Sequence, residues 1–197
     1  MDRHLRWDEH IQGVVKRIRC LISKFKFFKE IFDEQHLRVL YYALVQSHLT
    51  YGILAWGGVT NNYLTRLETT QRWLIKVMYG RPYLYSTDDL YKESGLFDIR
   101  GLFCKELALA QFKKRSNSPK VAHEYLTRNK EDKFTVPRIC KTIGQRCHSF
   151  LGPRFYNALP ANIRSINSFT LFKKYVLKFV SDQPRERLKQ LIDLKNS

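Results

Sequence analysis

Residues 7–28 read Trp7-Asp8-Glu9-His10-Ile11-Gln12-Gly13-Val14-Val15-Lys16-Arg17-Ile18-Arg19-Cys20-Leu21-Ile22-Ser23-Lys24-Phe25-Lys26-Phe27-Phe28. Apolar side chains recur at Ile11, Val14, Val15, Ile18, Leu21, Ile22 and Phe25. That i, i+3, i+4, i+7 spacing lays one apolar stripe along a helix. Lys16, Arg17, Arg19, Lys24 and Lys26 lie off the stripe. The segment is a helix, apolar on one side and basic on the other.

The same period continues through most of the chain. Asp33 is placed to cap a second helix, because its carboxylate can accept from an orphan backbone N–H. Leu37, Leu40, Tyr41, Leu44, Val45 and Leu49 then keep helical spacing. Tyr51 to Gly58 is more apolar than amphipathic and is expected to run through the interior. Asn61 to Met78 fits a third helix, stopped by Gly80 and Pro82. Thr87 is expected to cap a short helix from Asp88 to Glu93, with both aspartates favourable in its first turn. Asp98 starts a fifth helix that runs to Arg115.

Residues 127–150 have no sustained period and carry scattered cations. Thr135 to Cys140 suits a short edge strand, since Pro137 cannot donate to a ladder; the other option is a loop. Helical pattern returns at Gly152-Pro153, breaks at Pro160 and resumes after Ser168. Phe169, Phe172, Tyr175, Val176 and Phe179 form the next stripe, and Pro184 starts a polar tail helix. The expected fold is mainly α, an irregular helical bundle, with a short β-hairpin within residues 127–155 as an open option. A boundary near Asn117-Ser118-Pro119 would separate a helical region, 1–117, from a basic irregular segment with C-terminal helices, 118–197; one continuous domain is the alternative.

Of the 197 residues, 44% are hydrophobic and 14% aromatic. That is enough apolar surface to offset the entropy of ordering, so full disorder is excluded. Lys and Arg number 35 against 18 Asp and Glu, a net charge of +17. Solubility in a small domain needs only about 2–8 charges. The excess points to a polyanionic partner, nucleic acid ahead of an acidic membrane face. No stretch of ~18 apolar residues is present to span a bilayer. Four cysteines in a chain this long read as reduced thiols, so an intracellular setting is expected, nuclear or cytoplasmic.

The basic residues are the strongest chemical signal, because phosphate binding needs donors spread along a surface. The candidates are Lys16, Arg17, Lys24 and Lys26 on the first helix and Arg138, Lys141 and Arg146 in the irregular segment. Phe134 and Phe150 are candidate stacking rings. Cys140, Cys147 and His148 lack the paired spacing of a structural zinc site, so no metal is assigned. His10, His36, His48 and His123 have no adjacent nucleophile, which covalent catalysis would need. Trp56 and Trp73 lie within apolar stripes and read as core. A hydrolase built on Asp88, Asp89 and Asp98 is disfavoured, because nothing pairs them around a metal.

Several short blocks form a recognisable series. Leu5-Arg6-Trp7-Asp8-Glu9-His10-Ile11 is similar to the "L-x-W-x-x-H-I" that follows the polymerase core of LINE-type, non-LTR retrotransposon reverse transcriptases. Leu40-Tyr41-Tyr42-Ala43-Leu44-Val45, Leu49-Thr50-Tyr51-Gly52 and Trp56-Gly57 resemble that family's next block. Leu67-Glu68 with Gln71-Arg72 resembles its "LE-x-x-Q-(R/K)". Gly152-Pro153-Arg154-Phe155-Tyr156-Asn157-Ala158-Leu159-Pro160 is similar to its "GP-x-x-WN-x-LP", with Tyr156 in place of Trp. Ser168-Phe169 with Phe172-Lys173 resembles its "S-x-x-x-FK". Order and spacing hold from residue 5 to 180, and the jockey-like branch is the nearest in pattern.

This resemblance implies the thumb and post-palm region of an RNA-directed DNA polymerase. The palm, with its catalytic aspartates and their Mg²⁺, would lie upstream and be a partner of this chain. The chain alone would then not be an enzyme, and no cofactor is expected in it. It would bind RNA, RNA–DNA hybrid or DNA through the phosphate backbone and would not engage a membrane. Tyr85-Ser86-Thr87-Asp88-Asp89 only superficially resembles the family's "Y-x-D-D": one residue too many intervenes, and helical sequence follows. The alternative is a domesticated, stand-alone nucleic-acid-binding or scaffold protein with no polymerase role.

Overall fold

The computed structural model describes residues 7–115 and 133–192. Those residues form helices and connecting turns, and no strand occurs among them. The protein is mainly α, as the periodicity predicts. The chain packs as two compact units, Met1–Ile99 and Arg100–Ser197. The expected boundary near Asn117 falls outside the described residues.

In the first unit, α1 (Asp8–Ile31) lies along α5 (Asn61–Met78). The stripe Ile11, Val14, Val15, Ile18 and Phe25 is buried. So are Leu64, Leu67, Leu74, Ile75 and Met78 of α5, again at helical spacing. Each such side chain contributes roughly 1.5–3 kcal/mol on leaving water. Between these helices, α2 (Glu34–Tyr41), a π turn (Tyr42–Gln46) and α3 (Ser47–Thr50) follow one another without a break. Asp33 caps α2 by accepting from the His36 N–H at 2.9 Å.

The π turn has a sequence cause. Leu37, Tyr41, Val45 and Leu49 are all buried and are spaced four apart. On a pure α-helix each such step drifts by about 40°, which would carry the row off one face. A wider π turn in the middle of the row corrects the drift. After it comes the single turn α4 (Ile53–Trp56). Trp56 is buried as expected, and its indole N–H donates to the Tyr51 carbonyl at 2.9 Å. Tyr51 itself is 76% exposed, so the interior run starts later than the sequence suggests.

The helix α6 (Thr87–Ser94) begins one residue earlier than expected. Ser86, not Thr87, is its cap, and the Ser86 hydroxyl accepts from the Asp89 N–H. Gly95 ends it with φ 60°, a left-handed conformation that only glycine adopts at little cost. Trp73 is not core: it is 38% exposed and packs edge-on against Tyr83 at 5.8 Å.

The second unit holds all but the first residue of α7 (Ile99–Lys114), with α8 (Thr142–Gln145), α9 (His148–Ala158), α10 (Ala161–Arg164), α11 (Phe169–Asp182) and α12 (Arg185–Ile192). Its centre is a row of rings. Phe134 meets Tyr156 at 4.9 Å, Tyr156 meets Phe172 at 5.9 Å, and Phe172 stacks on Phe112 at 4.3 Å. The edge strand expected at Thr135 to Cys140 is not formed, and among the described residues 133–155 there is no hairpin: 133–140 have no ladder and helices follow them, while 127–132 lie outside the described residues. The polar groups there are satisfied another way. Asn157 accepts from the Phe134 N–H at 2.9 Å and donates to the Phe134 carbonyl at 2.8 Å, doing with one side chain what a neighbouring strand would do. Pro153 lies inside α9, not at its start. Burial of Leu151, Phe155 and Tyr156 outweighs the one N–H lost to the ladder.

Candidate nucleic-acid interface

Lys16, Arg17, Lys24 and Lys26 are all exposed on α1. They do not form one patch. At about 100° per residue, Arg17 and Lys24 share one flank of the helix, Lys26 falls with Arg19 on the other, and Lys16 lies between them at the back. An open groove of about 960 Å³ runs beside α1, lined by Lys16, Arg19 and Arg66 and also by Asp8 and Glu9. Its charges are mixed in sign.

Arg138 and Lys141 are exposed ahead of α8, and Arg146, half-buried, caps its C-terminus. This turn is held by Gln145, whose side-chain amide donates to the Ile139 carbonyl at 2.7 Å. Phe134 and Phe150 are half-buried, and the Phe134 ring is taken up by Tyr156.

The cations at the end of α7 and along α11 are not among the candidates read from the sequence. Lys113 and Lys114 are exposed in the last turn of α7, and Lys173, Lys174 and Lys178 are exposed on α11. Lys113 lies 5.4 Å from the centre of the Phe169 ring. The signal was available as the pair Lys174 and Lys178, one turn apart on the solvent side of a clear apolar stripe. Arg115 is a different case: its guanidinium donates to the Arg164 carbonyl at 2.9 Å and ties α7 to the end of α10.

Charge divides unevenly along the chain. Met1–Ile99 holds 14 Lys and Arg against 11 Asp and Glu; Arg100–Ser197 holds 21 against 7. The second unit therefore carries +14 of the net +17. Among its described residues the acids are Glu106, Asp182 and Glu186. Two of these are matched locally, Glu106 with Lys105 at 2.9 Å and Glu186 with Lys189 at 2.5 Å.

The other candidates have structural surroundings. His10 packs on the Trp56 ring at 5.7 Å, and burial first, Arg17 second, holds its pKa below the usual range. His148 is lowered in the same way, by burial and then by Lys114. His36 is bonded to Asp33 at 2.7 Å, and His48 is half-buried. His123 lies outside the described residues. Asp88 and Asp89 are exposed in the first turn of α6, whereas Asp98 is buried. Among the described residues no cluster of three or more His, Cys, Asp or Glu is placed to hold a metal ion. No helix among them is long and apolar enough to cross a membrane.

Within each unit, residues of the blocks that carry the family resemblance meet. Gln71 is fully buried and donates both to the Tyr41 hydroxyl at 2.8 Å and to the Phe97 carbonyl at 2.9 Å. Its carbonyl oxygen accepts from the Tyr91 hydroxyl at 3.2 Å. Tyr41 belongs to one block and Gln71 to the next, so this contact joins two of them. Burial pushes the Tyr41 hydroxyl well above its ordinary pKa, which keeps it neutral. In the second unit Gly152 lies against Gln111, whose side-chain oxygen would be 3.0 Å from any Cβ at that position. Tyr156 and Phe172, from the last two blocks, are neighbours in the ring row. Comparison with protein-family models, with curated proteins and with solved structures finds no match.

Proposed function

We propose that this chain is the thumb and C-terminal region of a LINE-type reverse transcriptase, and that it grips RNA or RNA–DNA duplex through the phosphate backbone. The observation that carries the binding is the concentration of charge in Arg100–Ser197, +14 with few acids to neutralise it. A surface of this kind attracts phosphates at regular spacing and reads little base sequence. The family part of the reading rests on the ordered blocks. Their mutual packing supports it, since motif residues that meet through Tyr41 and Gln71 behave as parts of one fold. Arg138, Lys141, Lys113, Lys173 and Lys174 are the proposed phosphate contacts of the second unit. The role is positioning of template and primer, with bond formation left to the palm.

Binding to an RNA–DNA hybrid over a salt series tests the reading. Several phosphate contacts give a log–log slope of about −0.9 for each. A flat salt response, or no binding at low salt by folded protein, overturns it. In primer extension with Mg²⁺ the chain alone is expected to add no nucleotide; robust incorporation contradicts the assigned role.

A further inference from the structure

The solvent side of α11 combines charge with an exposed ring. Phe172, Val176 and Val180 face the core. Tyr175, which lies within the apolar stripe by spacing, is instead 48% exposed, and Leu171, one turn before it, is 51% exposed. Lys174 and Lys178 stand on the same outer side, one turn apart, about 6 Å along the axis. Lys173 flanks them. No carboxylate among the described residues pairs with these three lysines, and the one acid of the helix, Asp182, is its last residue.

We propose that this face binds a single-stranded segment of nucleic acid, with Tyr175 stacking on an unpaired base beside Leu171 and with Lys174 and Lys178 contacting successive phosphates. The proposal rests on the nucleic-acid reading above and adds a preference that duplex binding does not require. An aromatic ring has nothing to stack on in a paired stem, whereas every unpaired base offers a π-face. The geometry argues against an acidic lipid surface as the occupant. Membrane-surface helices commit a long apolar face to the lipid, and here that face is already buried in the fold.

The test uses the full chain, with a single-stranded oligouridylate and a blunt RNA–DNA hybrid as probes. Tyr175→Ala is expected to weaken the single strand about tenfold and to leave the hybrid unchanged. Tyr175→Phe keeps the ring and the affinity. Replacing Lys174 and Lys178 by Gln lowers the single-strand salt slope by about 1.4. Tyr175 is exposed, so all variants should keep the parent's thermal midpoint. Equal single-strand affinity of Tyr175→Ala and parent overturns the proposal. So does an equal loss on both probes, or binding to phosphatidylserine vesicles without binding to the single strand. If the hybrid still binds with a steep salt dependence, only this inference falls; if neither probe binds, the broader reading falls with it.

Discussion

The two units of the chain differ in how they balance buried polar groups and exposed charge. In Met1–Ile99, charges nearly cancel, and the informative polar group, Gln71, is fully buried and joins Tyr41, Tyr91 and Phe97. In Arg100–Ser197, the core is a row of aromatic rings, a few polar groups such as Asn157 and Arg115 tie the backbone from inside, and Lys113, Lys114, Arg138, Lys141, Lys173, Lys174 and Lys178 are exposed. A buried amide network specifies an arrangement of helices, because each unmade bond is costly there. Exposed cations contribute little to folding but set a field for a polyanion. On the proposed function, the first unit is the scaffold and the second the binding surface.

The largest expected effect is on the second unit's core. Tyr156→Ala removes the ring between Phe134 and Phe172 and should cost about 4 kcal/mol, read from urea denaturation. A loss below about 1 kcal/mol would show that the ring row is not the core. Next comes Gln71→Leu in the first unit. It strips a partner from the buried Tyr41 hydroxyl and from the Phe97 carbonyl and should cost roughly 3 kcal/mol. Asn157→Ala, which opens the clamp on the Phe134 backbone, should cost about 1–2 kcal/mol, with hydrogen exchange at the Phe134 amide rising sharply.

The smallest effect is in pH. Burial lowers the pKa of His10 in one unit and of His148 in the other, so the folded chain takes up these protons less readily than the unfolded chain. Stability is therefore full above the ordinary histidine value of 6.5 and falls as pH drops below it, until the folded-state values are reached. The thermal midpoint should be lower at pH 5.5 than at pH 7.5, and replacing both histidines by Gln should remove much of that difference. An unchanged difference in the double variant would place the acid sensitivity elsewhere.

Much of the fold was legible because its signals are local. The α5 boundaries and the Asp33 cap follow from side chains within a few residues of where they act. What was not legible depended on distant packing. Asn157 satisfies the Phe134 backbone from 23 residues away, which replaced the expected strand with an extended loop. Trp73 and Tyr175 both fall on apolar stripes by spacing, but each lies at a stripe edge, and only the neighbouring helices decide on which side of the edge the core ends. The candidate cations are visible in the sequence, but their placement relative to one another is not. Lys16, Arg17, Lys24 and Lys26 look like one basic face in the sequence, yet helical phase spreads them around α1. The lysines of α11 were hidden beside a stripe that drew attention to packing.

The difference between the units can be measured directly. Lys16, Arg17, Lys24 and Lys26 are replaced together by Gln in one full-length variant, and Arg138, Lys141, Lys173 and Lys174 in another. Both are titrated with an RNA–DNA hybrid across a salt series. The account predicts that the second variant loses roughly 3–4 units of log–log slope and the first loses less than about 1. Equal losses, or a larger loss from the α1 variant, would contradict the division into scaffold and binding surface.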